Sequence, residues 1–510
     1  MSNLSGALRF MGTEIEYGII GKLNSDDDTN PIQTSNALID AFSHNQKYSK
    51  RRPRWDYQDE SPLADVRGFV LPRNDADSSL LTDIADSYTN LVLSNGGRYY
   101  VDHAHPEYSA PETTNALDAL IWDRAGEEIL IKAIDLDNKI FPNDRIRIFK
   151  NNVDNKGASY GTHENYLTKR STEFTKIIKL LTPHLITRQI FTGAGRIGIG
   201  QNPQNYDYQI SQRADYIETQ VGLETTLRRP IINTRDEPHS DPAIYRRLHL
   251  IIGDANMCDV ATYLKIGTTQ IVLDLIESDF LSEQEFEIYQ PVEAVKIISH
   301  DISLERKIQM SSGLNYSALE IQEKILNKAK IFLNQRSDTQ YQNILNTWQD
   351  VLTKLRNNKD DLIGKVDWIT KRYLLDKFTQ NRSDYSDLKA REIDFKYSEL
   401  SSLNSIVSVL RSKGLIQQLC SQNQIENALA NPPIDTRAWF RGKILQKFSQ
   451  FISAASWDSV ILDLDKSQPL IRIPTPDPLA GTKAQTEQLF EKSKNINDLV
   501  SALQGEVGDK

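Results

Sequence analysis

Two short stretches of the chain carry carboxylates, an arginine and a tyrosine at a spacing that can do chemistry. The first is Arg9-Phe10-Met11-Gly12-Thr13-Glu14-Ile15-Glu16-Tyr17-Gly18-Ile19; the second is Gly97-Arg98-Tyr99-Tyr100-Val101-Asp102-His103-Ala104-His105-Pro106-Glu107-Tyr108. In extended backbone successive side chains point to opposite faces, so Glu14 and Glu16 share one side and Ile15 and Tyr17 the other. Read as one strand, the second stretch sends Arg98, Tyr100 and Asp102 to a common face and backs Tyr99 and Val101 onto a core. A solvated outer face gives the same alternation and is the commoner explanation for an arbitrary strand. Here, however, the polar set is Glu, Glu, Arg, Tyr and Asp rather than Lys, Thr and Ser. Carboxylates gathered on one face repel each other unless a divalent cation or an arginine sits among them, so the composition asks for a metal.

Three further segments bear on chemistry. The run Lys156-Gly157-Ala158-Ser159-Tyr160-Gly161-Thr162-His163-Glu164-Asn165-Tyr166 puts His163 and Asn165 at alternate positions. Taken alone, His163 reads as a metal ligand or as a buried histidine holding a turn, the second being the commoner role. Residues 227–249 concentrate five arginines and two histidines in 23 positions. The flanking apolar strands would carry those guanidinium groups into a cleft, where they suit phosphate oxygens. Gly193-Ala194-Gly195-Arg196-Ile197-Gly198 spells a dinucleotide-binding string, but Ile199-Gly200-Gln201-Asn202-Pro203 continues as a turn where a phosphate-binding helix should begin, and the match is rejected. No P-loop occurs. Asp26-Asp27-Asp28 lacks the spaced ligands of a calcium loop and reads as a solvated turn.

The elements that must position these groups follow from periodicity. Helices are predicted over 34–44, with Ser35 as cap, 80–92, 117–136, 317–333, 339–355, 368–378, 406–410 and 436–451. Residues 248–281 read as a strand followed by a buried helix, despite Asp254, Asp259, Lys265 and Asp274, and 455–463 as strand-like. Arg382 to Ser386 reads as a break. Residues 45–80, basic then acidic with few apolar runs, read as an insertion between the two active-site strands, either a lid or an inert loop. Asn431-Pro432-Pro433 marks the clearest boundary, giving a catalytic unit over 1–430 and a smaller one over 431–510.

At 510 residues the chain can bury a large core. A formal net charge of −9 gives no support for nucleic-acid binding, and two cysteines, Cys258 and Cys420, exclude a disulfide framework and point to a reducing cytoplasm. The N-terminus lacks the pattern of a secretion signal, and no stretch reaches the roughly 20 apolar residues of a membrane helix.

The strings MGTEIEYGI, YVDHAHPEYSAPE, KNNVDNKGASYGTHENYL, TGAGRIGIG, RRPIINTRDEPHSD, YRRLHLIIGDAN and AASWDSV resemble the depupylase and Pup-ligase family, which acts on the prokaryotic ubiquitin-like protein Pup and is similar to glutamine-synthetase-type carboxylate-amine ligases. The resemblance runs from about residue 8 to about residue 500. GTEIEYG, His103-Ala104-His105 and the 45–80 insertion are features of the depupylase branch rather than the ligase branch. The resemblance implies an α+β, glutamine-synthetase-like fold: a curved antiparallel sheet packed by helices, with a small C-terminal domain. It also implies Glu14, Tyr100 and Glu107 as magnesium ligands, Glu16 and His163 in the same metal shell, Arg98 and Trp457 against ATP, Arg235 at its phosphates and Asp102 as the catalytic aspartate. Ala110 departs from the Ser or Thr common in relatives, which puts a hydroxyl contact to the nucleotide in doubt.

The activity so implied is ATP- and Mg2+-dependent cleavage of the isopeptide bond between Pup and substrate lysines, with deamidation of a C-terminal Gln of Pup. Asp102 would serve as nucleophile or as general base. Pup and pupylated proteins are the implied partners, with no nucleic acid and no membrane, and the enzyme is expected to be a cytoplasmic monomer. For the acidic Pup chain two basic helical patches are candidates: Lys365, Lys371, Arg372 and Lys377 with Trp368 and Leu375, or Arg437, Arg441, Lys443 and Lys447. A Pup ligase consuming ATP through a γ-glutamyl phosphate, a small-molecule γ-glutamyl ligase and a catalytically silent Pup-binding regulator are the alternatives.

Overall fold

The computed structural model describes residues 9–21, 30–44, 53–58, 60–76, 89–140, 146–154, 157–201, 206–334, 338–380, 385–401, 405–465 and 467–507. Its central element is a six-stranded sheet in the order Tyr245–Leu250, Thr162–Lys169, Met11–Glu16, His105–Ser109, Arg98–Asp102, Asn90–Val92. Every neighbouring pair is antiparallel. The second active-site stretch is therefore a hairpin and not one strand. Asp102 faces His105 across a turn in which His103 takes a left-handed φ of 53°, a conformation that costs a non-glycine residue about 1 kcal/mol.

One face of this sheet is apolar for the reason the alternation gave. Ile15, Tyr17, Tyr99, Val101 and Tyr108 pack with Leu38, Ile39 and Phe42 of helix Pro31–His44 and with Ile121, Trp122, Ala125 and Ile129 of helix Ala116–Ile140. Gly126 lets the latter helix close on the sheet, because a Cβ there would run into the Tyr108 ring. Met11, Tyr166, Leu248 and Leu250 join a second cluster built on helices Phe174–Thr187, Asp259–Glu277, Ala318–Leu333 and Thr339–Asn357.

Helix Asp259–Glu277 is buried on every side from Asp259 to Ile276. Its charged residues are tolerated because each finds a partner. Asp259 pairs with Arg124 at 2.6 Å, Lys265 donates to the Asp254 carbonyl at 2.8 Å, and Asp274 pairs with Arg9 at 2.6 Å.

Two local expectations are corrected. Ser35 lies inside helix Pro31–His44, with its hydroxyl donating to the Ala104 carbonyl at 2.9 Å. The cap is Asn30, whose side chain accepts from the Ile32 N–H at 3.0 Å. Of the helix predicted over 80–92, residues 80–88 lie outside the described residues, and Asn90–Val92 is an edge strand. The predicted break at 382–386 and the Asp26–Asp28 turn also fall wholly or largely outside them.

A third apolar cluster joins Phe440, Ile444, Leu445 and Phe448 of helix Ala438–Phe448 to Ile452, Val460, Leu462, Leu499 and Trp55. Its sheet runs Ile471–Pro474, Ser459–Leu462, Ile452–Ala455, Arg54–Trp55, the last pair parallel. A strand from the 45–80 insertion thus completes a sheet otherwise made after residue 450.

Neither basic patch is a free groove. Trp368 and Leu375 are core residues, and Lys371 is buried, donating to the Gly195 carbonyl and pairing with Asp394. Arg437 and Arg441 are buried on Glu112, and Lys447 is taken up by the Phe490 carbonyl. The glycine string ends as predicted without a helix, in the two-residue strand Arg196–Ile197. Among the described residues no helix is long and apolar enough to cross a membrane.

Candidate active site

Strand register assembles the site. Glu14 is opposite His163 on one side and Ser109 on the other; Glu16 is opposite Glu107, which is itself opposite Tyr100; Asn165 is opposite His249. Of these, Glu14, Glu16, Tyr100, Glu107, Ser109, His163 and His249 line a cavity of about 440 Å³ on the face away from the helices. Glu14, Glu16, Arg98, Tyr100, Asp102, Glu107, His163, Arg235 and Trp457, the nine residues singled out in the sequence, all line it.

The acids form two groups. Glu14, His163 and His249 offer ligand-capable atoms within 4.8 Å of one another, and so do Glu16, Asp102 and Glu107. His163 bridges them, its Nδ1 lying 3.3 Å from Glu14 and its Nε2 3.8 Å from Glu16. Gly161 makes this approach possible, since any Cβ there would strike His163 Nε2 and crowd Glu16.

Burial would raise the Glu14 carboxyl, but the hydrogen bond from His163 and the charge of Arg247 hold it well below the usual range. Glu107 is pushed the other way. Burial, then the charges of Asp102, Glu16 and Glu14, raise it well above the carboxylate range, and its Oε1 has no hydrogen-bond partner. Burial, then the neighbouring Glu107 charge, also raises the Tyr100 phenol, which therefore stays neutral. A carboxyl that ionises only against three others, with an orphaned oxygen, fits a hard divalent cation bound by oxygen ligands.

Asp102 sits at the mouth with 38% of its side chain accessible, and His103 Nδ1 approaches its Oδ2 to 2.8 Å. Burial opposes ionisation here, yet the His103 hydrogen bond and charge, followed by the charges of His163 and Arg98, lower its pKa. Asp102 is thus an ionised carboxylate open to a ligand.

Aromatic rings and arginines form the far end. The Arg98 guanidinium lies 4.1 Å from the Trp55 ring centre and 3.8 Å from that of Tyr100, and donates to Asn90 and to the Tyr57 hydroxyl. Trp457 meets Trp55 edge-on at 5.2 Å. Arg235 and Arg247 share Glu237, at 3.9 and 3.4 Å, and the Ser61 N–H donates to the same carboxylate. Glu60 accepts from the Trp55 indole at 2.7 Å, and burial raises its carboxyl pKa. The insertion therefore supplies cavity wall in Tyr57, Glu60 and Pro62. Ala110 lines a smaller, mostly apolar cavity of about 80 Å³ beside Gly12, Leu167 and Trp457, where it presents a methyl group.

The sequence reading did not single out His249, Arg247, Arg213, Tyr57 or Glu60 as site residues. For the first two a signal existed: they alternate on strand Tyr245–Leu250 and so share a face. Arg213 immediately precedes the 3-10 helix Ala214–Tyr216, in a stretch with no periodicity to expose it.

An antiparallel sheet lined on one face by acids, histidines and arginines and packed by helices on the other is the glutamine-synthetase-like architecture of carboxylate-amine ligases. Within that class, the chain belongs to the Pup-ligase protein family, which it matches over residues 9–461. It is 43% identical to a protein named depupylase from Acidothermus cellulolyticus over 502 residues, covering 98% of this chain and 99% of that one. With a protein named Pup deamidase/depupylase from Mycobacterium tuberculosis it is 44% identical over 504 residues, with the same coverage. Among solved structures it resembles the ligase PafA in its complex with Pup, at a TM-score of 0.79 and 29% identity over 98% of this chain and 95% of that one. It also resembles PafA in complex with ADP, at 0.72 and 32% over 80% and 91%.

Proposed function

We propose that the chain hydrolyses side-chain amides at the C-terminus of Pup, releasing Pup from the lysines of pupylated proteins and converting its terminal glutamine to glutamate, with ATP and Mg2+ bound in the cavity. The observation that carries this reading is Asp102, an ionised, accessible carboxylate at the rim of an otherwise buried acidic set. Full-length relatives named for depupylation and deamidation support the reaction class. The PafA complex with ADP supports a nucleotide.

Glu14, Glu16, Tyr100, Glu107 and His163, with His249 added from the geometry, would hold magnesium. The ion, when bound, offsets the clustered acids and polarises oxygen, a term worth about several kcal/mol at a developing oxyanion. Arg98 and Trp457 offer flat cationic and aromatic surfaces to the nucleotide, and Arg235 its guanidinium to the phosphates. Asp102 acts on the amide carbonyl in one of two ways. As nucleophile its oxygen bonds the carbonyl carbon, the C–N bond breaks, the amine leaves with a proton taken from solvent, and water then opens the anhydride to two carboxyl groups, giving a proton back to solvent. As general base it takes a proton from the water that attacks the carbonyl carbon instead, and passes that proton to the amine as the C–N bond breaks. Residues 431–510, with the insertion strand, form the cover of the cavity, and the enzyme works as a cytoplasmic monomer.

Asp102→Asn is expected to bind ATP as the parent does and to lose nearly all release of Pup from a pupylated protein; substantial residual turnover overturns the assignment. Glu14→Ala is expected to weaken magnesium-dependent nucleotide binding in calorimetry, and an unchanged affinity removes Glu14 from the metal shell. The likeness to PafA favours a second reading, an ATP-consuming ligase. Stoichiometric ADP release with Pup and a lysine-bearing protein would select it.

A further inference from the structure

Hydrolysis of an amide needs a proton on the departing nitrogen, because an alkylamine leaves poorly without one. Most side chains of the cavity that could hold such a proton are already engaged. His163 lies between Glu14 and Glu16, and His249 Nδ1 lies against the Asn165 side chain. The Tyr160 hydroxyl donates to Asn151. His105 Nδ1 donates to the Tyr17 carbonyl at 3.1 Å, and its ring stacks on Tyr160 at 4.4 Å between centres. Tyr100 and Glu107 belong to the proposed metal shell, and a guanidinium does not give up its proton.

His103 is placed differently. It sits in the turn between strands Arg98–Asp102 and His105–Ser109, lines the cavity, and keeps 41% of its side chain accessible at the mouth. The left-handed φ of 53° is one that glycine or asparagine adopts more readily, so the backbone of this turn gives no reason for a histidine. Its ring does: Nδ1 lies 2.8 Å from Asp102 Oδ2. An ionised carboxylate only accepts, so Nδ1 carries a hydrogen, and Nε2 is the nitrogen through which the ring can exchange a proton.

We infer that His103 is the general acid of the reaction, holding Asp102 through Nδ1–H and giving the Nε2 proton to the departing nitrogen. The inference rests on the amidase reading and deepens it by putting a side chain in place of solvent as the proton source. With Asp102 as nucleophile, its oxygen bonds the carbonyl carbon and the C–N bonding pair goes to nitrogen. The nitrogen takes the Nε2 proton and leaves as a neutral amine. The neutral ring then takes a proton from the water that opens the anhydride, which restores the Asp102 carboxylate and the protonated ring. With Asp102 as general base, the proton it draws from water reaches the amine through the same ring.

The test puts two leaving groups on one acyl chain. Full-length Pup is joined through its terminal γ-carboxyl either to a protein lysine or to para-nitroaniline, an arylamine that depends far less on a general acid, and cleavage is followed with ATP and Mg2+. His103→Gln can still donate to Asp102 but has no proton to transfer. It is expected to slow isopeptide cleavage by about 100-fold and anilide cleavage by less than about 3-fold. His103→Asn, which suits the left-handed backbone, gives the same split, and both variants bind ATP in calorimetry as the parent does. Equal loss on the two substrates makes His103 a positioning residue for Asp102 and overturns the inference, as does full activity on both. Loss of ATP affinity in both variants makes the residue structural and overturns it too. A parent enzyme that cleaves neither substrate refutes the amidase reading itself, and the inference falls with it.

Discussion

Glu107 is the residue on which the electrostatics of the site turn. Its neighbours on three sides are carboxylates, so ionising it in the protein alone is opposed by burial and by like charge together. His249 is the less obvious member of the set. Burial, then the charges of His163 and Arg247, keeps its imidazole well below its ordinary pKa, and a neutral imidazole has a lone pair to give a cation. Its Nδ1 lies 2.9 Å from the side-chain amide oxygen Oδ1 of Asn165, which fixes the ring. His249→Gln is therefore expected to weaken Mn2+ binding, measured by calorimetry with Mn2+ standing in for magnesium, by roughly 10- to 100-fold. An unchanged affinity would leave Glu14 and His163 without a third ligand. The period-two alternation exposed Glu14, Glu16, Arg98, Tyr100 and Asp102 in the sequence because each lies in a strand whose other face is strongly apolar. His249 was hidden because its strand sits in a run of five arginines, and only the pairing of Asn165 with His249 reveals which face it shares.

At the scale of elements, helices were legible where a 3.6-residue period ran for several turns, as in Ala116–Ile140 and Thr339–Asn357. The strand Asn90–Val92 was not, because Leu91, Val92 and Leu93 are all buried and a continuous apolar run has no period to read. The docking of helix Ala438–Phe448 was hidden as well, since its arginines read as part of a basic patch for the acidic Pup chain. Arg441 and the cap residue Arg437 instead close on Glu112, just past strand His105–Ser109. Burial opposes the Glu112 carboxylate, but the charges of Arg441 and Arg437 override it and bring its pKa from 4.5 to about 2. A folded value below the unfolded one stabilises the protein above pH 4.5, and the contribution is lost as pH falls from there through about 2. Glu112→Gln strands two buried guanidinium groups and is expected to cost about 3 kcal/mol at neutral pH. In urea titrations the deficit should shrink as pH drops below 4.5; a deficit constant down to pH 2 would mean that packing, not charge, holds the helix.

Across the whole molecule, the insertion and the chain after residue 450 share a sheet and an apolar cluster, and both reach the cavity, through Tyr57, Glu60 and Pro62 on one side and Trp457 on the other. Trp55 joins them: its backbone pairs with Ala455, its ring packs in the cluster of Phe440 and Val460, and its indole stacks under Arg98 and binds Glu60. A second clamp holds the insertion at the arginine-rich end. The Val66 N–H donates to the Thr234 carbonyl at 2.8 Å, the Asp236 N–H to the Ala64 carbonyl at 2.9 Å, and the Thr234 hydroxyl to Asp65 at 2.6 Å. With both clamps in place, Arg98, Arg235 and Trp457 are held from three separated parts of the chain. Trp55→Ala removes a buried indole, a change that costs about 3–5 kcal/mol in a packed core. If the cover is one cooperative body, hydrogen exchange should accelerate together in residues 53–58 and 452–455 while strand Met11–Glu16 stays protected, and ATP affinity should fall because Arg98 loses its upper ring. Exchange that quickens only in 53–58, with ATP binding intact, would mean that the insertion is a separate flap and that Ile452–Ala455 stands without it.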